Sequence, residues 1–248
     1  MAAKKKAEET VQFKRPGGEM STRPLHFIFI ADCSGSMLLN AKMESLNTAV
    51  REVIPHMQRV ADENPHAQIL VRVLKFSDGA QWHVSQPTPI ENFSWQDLDA
   101  EPTGTDMGKA LMMVADQLKM PPMSDRALPP VLVLITDGQA TDDVNAGLKA
   151  LFGQPWGKKA VKIAIAIGED ASLSELQKFM NNPELKPLQA NNPEQLLQRI
   201  KFASTVVLKS ASSPASQTLS ANGDARVNVP IPPPPDDADD EVDQAQMW

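Results

Sequence analysis

The chain has one cysteine, Cys33, and only four histidines among its 248 residues. A single thiol excludes an internal disulfide framework and fits a reducing compartment. His26, His56, His66 and His83 are scattered without metal-ligand spacing, so none is assigned a role. No apolar run approaches the ~20 residues that a membrane-spanning helix needs. Lys4-Lys5-Lys6 is followed by Ala-Glu-Glu-Thr and not by an apolar stretch. Neither a signal peptide nor a membrane span is therefore expected, and a cytoplasmic protein is the simplest reading. A basic field is missing too. The formal net charge is −7, with the acids concentrated after residue 220 and a small Lys/Arg excess in residues 1–20. The stretch between is mildly acidic, which excludes nucleic acid as an expected partner. Also absent are a Gly-x-Ser-x-Gly elbow and a phosphate-binding glycine loop.

What is present is a strand–helix rhythm. The 42% hydrophobic content suffices for one core, and the flanks are too polar and proline-rich to add a second. Four apolar runs, residues 27–30, 69–74 (broken only by Arg72), 131–135 and 163–167, read as strands covered on both faces. Between them, Met43, Leu46, Val50, Val53, Met57 and Val60 recur at helical spacing, as do Met107, Leu111, Val114 and Leu118, and then Val144, Leu148 and Leu151. This predicts an α/β fold with a doubly wound, mostly parallel sheet. Asp78-Gly79 lies between two strand-like segments and is a preferred two-residue hairpin turn, so one edge strand should be antiparallel.

Asn-Asn-Pro-Glu occurs twice, at residues 181–184 and 191–194. Helix starts explain it better than an internal repeat does, with Asn as N-cap and Pro in the first helical position. The second copy launches a closing helix carrying Leu196, Leu197, Ile200, Ala203 and Val207. The expected organisation is a flexible segment over 1–23, one domain over 24–210, and a disordered proline-rich, acidic tail over 211–248.

The first apolar run ends in Asp32-Cys33-Ser34-Gly35-Ser36. One carboxylate and two hydroxyls on alternate residues suit a hard divalent cation, which prefers oxygen ligands. In an open parallel sheet, ligands gather beyond the carboxyl ends of the strands where strand order reverses. Asp137, after the run at 131–135, falls at such an end, and Gly138 is expected to permit the tight exit. Thr105, in a Gly-Thr loop entering a helix, can add a third hydroxyl. The plainer account of Asp-x-Ser-x-Ser is an N-cap loop with Ser34 or Ser36 capping, which Thr105 and Asp137 together make less attractive. Asp106, Asp142 and Asp143 read as carboxylates opening helices. Cys33 should point away from the hydroxyls, as alternate residues of an extended loop do.

In these residues the chain resembles a von Willebrand factor type A domain with a complete metal-ion-dependent adhesion site, over roughly residues 24–210. The resemblance implies that Ser34, Ser36 and Thr105 are direct or near-direct ligands and that Asp32 and Asp137 act through water. It implies Mg²⁺, with Mn²⁺ or Ca²⁺ as alternatives. Residues 136–143, and residues 201–204 followed by Val206 and Val207, further resemble small bacterial tellurium-resistance-type proteins. That implies a phospho-signalling or stress-resistance adaptor working with a Ser/Thr kinase and a metal-dependent phosphatase. The expected function is non-enzymatic capture of a partner's Asp or Glu by the bound ion. Two alternatives stand beside it: a metal-dependent hydrolase using the same site, and a scaffold whose site is filled by its own acidic run at 236–243.

Overall fold

The four apolar runs become the centre of one sheet in a computed structural model that describes residues 22–212 and 231–234. Residues 1–21 of the expected N-terminal segment, most of the tail and the whole acidic run lie outside the described residues, while Arg23, expected in that segment, opens the first strand. The strands are β1 (Arg23–Asp32), β2 (Ala67–Ser77), β3 (Gly79–Pro89), β4 (Val131–Thr136), β5 (Val161–Ile167) and β6 (Leu188–Ala190), in the order β3-β2-β1-β4-β5-β6. All neighbours pair in parallel except β2 and β3, which form the expected antiparallel hairpin. Its turn is tighter than the sequence suggests. Ser77 pairs directly with Gly79, whose φ of +101° a side chain would resist.

Strand alternation divides the core. Leu25, Phe27 and Phe29 of β1, with Val131 and Val133 of β4, join a cluster covered by α1 (Lys42–Glu63) and α6 (Pro193–Lys201). Ile28 and Ile30, with Leu132 and Leu134, face α2 (Met107–Gln117), α3 (Val144–Gly153), the short α4 (Pro155–Lys159) and α5 (Leu173–Met180). Every one of these strand residues is at most 1% exposed. At that burial each contributes about 1.5–3 kcal/mol of transfer free energy. The chain therefore winds both ways from β1, and β1 and β4 flank the point where strand order reverses.

Two close contacts hold the helices beside that point. A Cβ on Gly147 would lie 2.5 Å from the Gly108 carbonyl oxygen, so α2 and α3 cross with only backbone between them. Asp142 then accepts the Gly108 and Lys109 N–H groups at 2.8 Å each. It caps α2 across space, while Asp143 caps its own helix α3 through the Ala146 N–H.

The repeated Asn-Asn-Pro-Glu does two different jobs. At 191–194 Asn192 caps α6 through the Gln195 N–H, with Pro193 in the first turn, as expected. At 181–184 no helix starts. Asn181 ends α5 in the left-handed region at φ 48°, and Asn182 accepts the Glu184 N–H in a turn. The closing helix continues as wider π-type turns over Phe202–Val207 and then as α7 (Leu208–Ser212). Residues 231–234 return to this end of the molecule. Ile231 packs on the core beside α6, and Pro233 and Pro234 line a hollow with Met180, Leu185 and Phe202.

Candidate metal centre

The five residues singled out in the sequence come from three loops. Asp32 is the last residue of β1, Asp137 follows the last residue of β4, and Thr105 stands two residues before α2. Asp32 and Asp137 are fully buried, and Ser34 and Thr105 nearly so. Ser36 Oγ donates to Asp137 Oδ1 at 2.6 Å and lies 3.1 Å from Ser34 Oγ. A Cβ built on Gly138 would sit 3.6 Å from Ser36 Oγ and 3.8 Å from Thr105 Oγ1. That single point locates the threonine and serine hydroxyls around one small space. Gly138 carries no positive φ, so it is needed here for room and not for a tight exit.

Hydroxyl capping is not what holds the first loop. Ser34 precedes a 3₁₀ turn (Gly35–Ala41) with no side-chain cap bond, and α1 is preceded by Ala41, which offers none. The Ser34 N–H instead donates to Asp32 Oδ1 at 2.8 Å, while the Gly35 N–H reaches the Thr103 carbonyl at 3.2 Å. On the opposite side, the Thr105 N–H donates to Thr141 Oγ1 at 2.8 Å, and the Thr141 N–H returns to the Thr105 carbonyl. Asp106 is buried and accepts the Gly79 N–H, the Lys109 ammonium and, at 3.4 Å, the Thr141 hydroxyl. The Lys109 ammonium holds its carboxyl below the usual range. Cys33 faces the α1 side of the core at 1% exposure, and burial pushes its thiol up to about 12.

Both carboxylates are fixed by protein donors. Asp32 takes the Ser34 N–H on one oxygen and the Thr136 hydroxyl, at 2.5 Å, on the other. Asp137 takes Ser36 on one oxygen and the Lys42 ammonium, at 2.9 Å, on the other. Thr136, Lys42 and Thr141 were missed in the sequence. Thr136 adjoins Asp137, and a lysine opening a helix opposes the helix dipole, so both carried a local signal. Thr141 carried none.

This donor set fits a hard cation. The hydroxyl separation of 3.1 Å matches the roughly 2.9 Å edge of an octahedron built on ~2.1 Å metal–oxygen bonds. Burial pushes the Asp32 carboxyl up to about 6 despite the bonds from Ser34 and Thr136, and the Asp137 charge adds to the rise. Among the described residues no three His, Cys, Asp or Glu side chains cluster as a metal site, so hydroxyls make up most of the oxygen donors here.

The comparisons agree with this architecture. The ArnB paralog VWA2 from Sulfolobus acidocaldarius is 18% identical, with a TM-score of 0.55 over 73% of this chain and 45% of its own. A von Willebrand factor type A protein from Catenulispora acidiphila is 19% identical, with a TM-score of 0.54 over 76% of this chain and 43% of its own. Proximal thread matrix protein 1 from the mussel byssus, solved with a zinc-occupied MIDAS motif, is 16% identical, with a TM-score of 0.54 over 76% of this chain and 50% of its own. The chain thus spans about half the length of these proteins or less. No curated protein matches it at a significant level. No helix among the described residues is long and apolar enough to cross a membrane. The von Willebrand factor type A domain profile matches residues 27–201, and the chain belongs to that family.

Proposed function

We propose that the unit over 24–210 is a metal-dependent protein-binding module whose site captures an acidic residue of a partner. The observation that carries this is the placement of the Ser36 and Thr105 hydroxyls beside Gly138, with the Ser34 hydroxyl 3.1 Å from that of Ser36, backed by two buried carboxylates. In this reading Ser34, Ser36 and Thr105 hold the ion and complete an adhesion site with Asp32 and Asp137 behind them. Mg²⁺ is the first choice for an all-oxygen set, with Mn²⁺ or Ca²⁺ next. A bound ion supplies a Lewis-acidic position for an anionic oxygen.

The chain's own residues favour binding over catalysis. The Ser34 hydroxyl bonds to that of Ser36, and Ser36 donates to Asp137, an arrangement that leaves hydroxyl lone pairs for an ion. Leu38 and Leu39, in the 3₁₀ turn directly after Ser36, are 54% and 61% exposed. An apolar rim beside a charged anchor suits a small protein interface. The sequence of residues 136–143 and of the closing helix supports a narrower setting, a cytoplasmic adaptor in a bacterial kinase and phosphatase system of the tellurium-resistance type.

The test is retention of Glu-bearing peptides on the immobilised full-length chain. Retention should require Mg²⁺, vanish in EDTA and vanish in Thr105→Ala with the fold unchanged. Peptide retention indifferent to both EDTA and Thr105→Ala sinks the reading.

A further inference from the structure

Lys42 is the first residue of α1, and its ammonium lies 2.9 Å from Asp137 Oδ2 with the lysine side chain 6% exposed and the aspartate side chain 0% exposed. Three features make this placement costly. A cation at a helix N-terminus opposes the macrodipole. A buried ion pair must recover the desolvation of both members. The backbone leading in is also held in the left-handed region, at φ 53° for Asn40 and 55° for Ala41. A helix needs none of this to begin, so the position of the ammonium calls for a reason at the site it faces.

We propose that Lys42 is the internal cation that sets the charge of the metal centre, so that the loaded site selects an anionic oxygen. The proposal rests on the metal-binding reading above. Asp32 and Asp137 alone would neutralise a divalent ion, leaving little pull on a carboxylate from outside. With Lys42 counted, the two acids and one ammonium carry one net negative charge. A divalent ion then leaves the site one positive charge in excess, buried where screening is weak. The N-terminus of α1 adds its partial positive charge in the same region. Lys42 therefore trades ion affinity for anion affinity. Asp137 Oδ2 accepts from Lys42 and Oδ1 from Ser36, so the ammonium and a site hydroxyl share one carboxylate.

Lys42→Met in the full chain tests this, with Mn²⁺ as the ion and acetate as the anion. Mn²⁺ affinity is read by calorimetry. Acetate binding to the Mn²⁺-loaded chain is read from the fall in water-proton relaxation as bound water is displaced. The expected result is Mn²⁺ binding at least ~10-fold tighter and acetate binding at least ~10-fold weaker, the direction Coulomb's law gives for losing one buried positive charge. Lys42→Arg should restore both. Lys42→Gln, which keeps a hydrogen-bond donor for Asp137, repeats the test if the methionine variant does not fold. A variant that leaves Mn²⁺ affinity unchanged, or that weakens Mn²⁺ and acetate together in step with lost thermal stability, overturns the proposal and leaves Lys42 a structural ion pair. Wild-type chain that binds no Mn²⁺ overturns the metal-binding reading and this inference with it. Wild-type chain that binds Mn²⁺ while the variants show no opposed shift overturns this inference alone.

Discussion

Ser36 and Asp137, separated by 101 positions in sequence, are joined by a 2.6 Å hydrogen bond from Ser36 Oγ to Asp137 Oδ1. The bond ties the loop after β1 to the loop after β4, the two strands that flank the reversal of strand order. It also spends the serine proton on the protein, which leaves the oxygen lone pairs for an ion. The site is therefore a product of topology first and of side-chain chemistry second.

Gly138 should be the most site-specific place to test the space itself. Its backbone accepts alanine, and the added methyl would rest against Ser36 and Thr105 at ordinary contact distance, 3.6 and 3.8 Å. Gly138→Ala is expected to keep its thermal midpoint while Mg²⁺ or Mn²⁺ affinity falls roughly tenfold or more, since crowding removes room for the ion. Calorimetric titration beside a melting curve checks both halves, and unchanged affinity would move the ion elsewhere.

Asp142 acts on the site through Thr105. Its carboxylate holds the first turn of α2 by the Gly108 and Lys109 N–H groups, three and four residues after Thr105. Asp142→Ala should cost about 1–2 kcal/mol as a lost helix cap. It should also weaken ion binding several-fold, whereas Asp143→Ala, which uncaps only α3, should cost similar stability and leave ion affinity alone. Equal ion affinity in both variants would show that the cap does not position Thr105.

Much of this was legible in sequence, and the reasons divide cleanly. Long apolar runs such as 131–135 announce buried strands because both faces are covered, and α1 shows its six-residue apolar stripe over 22 residues. β6 was not found, since three residues are too few to show a period, and it exists only because β5 offers an edge. The first Asn-Asn-Pro-Glu was read as a helix start from local chemistry, yet those residues end α5. Of the site, the five oxygen donors could be named because each stands at a strand end or a glycine-marked loop. Thr141 could not, because its partner is fixed by tertiary approach alone, and Lys42 showed only as a cation opposing a helix dipole, with nothing local to name Asp137 as its partner.

His26 carries a pH dependence away from the site. It is 6% exposed, its Nδ1 has no hydrogen-bond partner among the described residues, and burial together with the Arg72 charge lowers its pKa from 6.5 to about 4. The folded state therefore excludes a proton that the unfolded chain binds below pH 6.5. The neutral ring's contribution is complete above that pH and is lost as pH falls toward 4, to the extent of about 3 kcal/mol. His26→Leu should flatten urea-unfolding stability between pH 4 and 6.5 and cost little at pH 7.5, where an unpaired polar atom is removed. An unaltered pH slope would place the acid sensitivity in other groups.

Cys33 should behave as a packed side chain despite its place between Asp32 and Ser34. At 1% exposure and with a thiol pushed up to about 12, it offers almost no thiolate at neutral pH. A thiol reagent such as DTNB should label it only at the rate of unfolding, rising steeply in urea. Rapid labelling of the folded chain would contradict a packed thiol.

The central claim is that Asp32, Ser34, Ser36, Thr105 and Asp137 form one ion site, and titrating Mg²⁺ or Mn²⁺ into the full-length chain and into Asp32→Ala tests it most directly. Saturable binding of one ion to the wild type is expected, with affinity about 10–100-fold lower in the variant and secondary structure retained. Binding that is undetectable in the wild type, or equal in the two proteins, would contradict it.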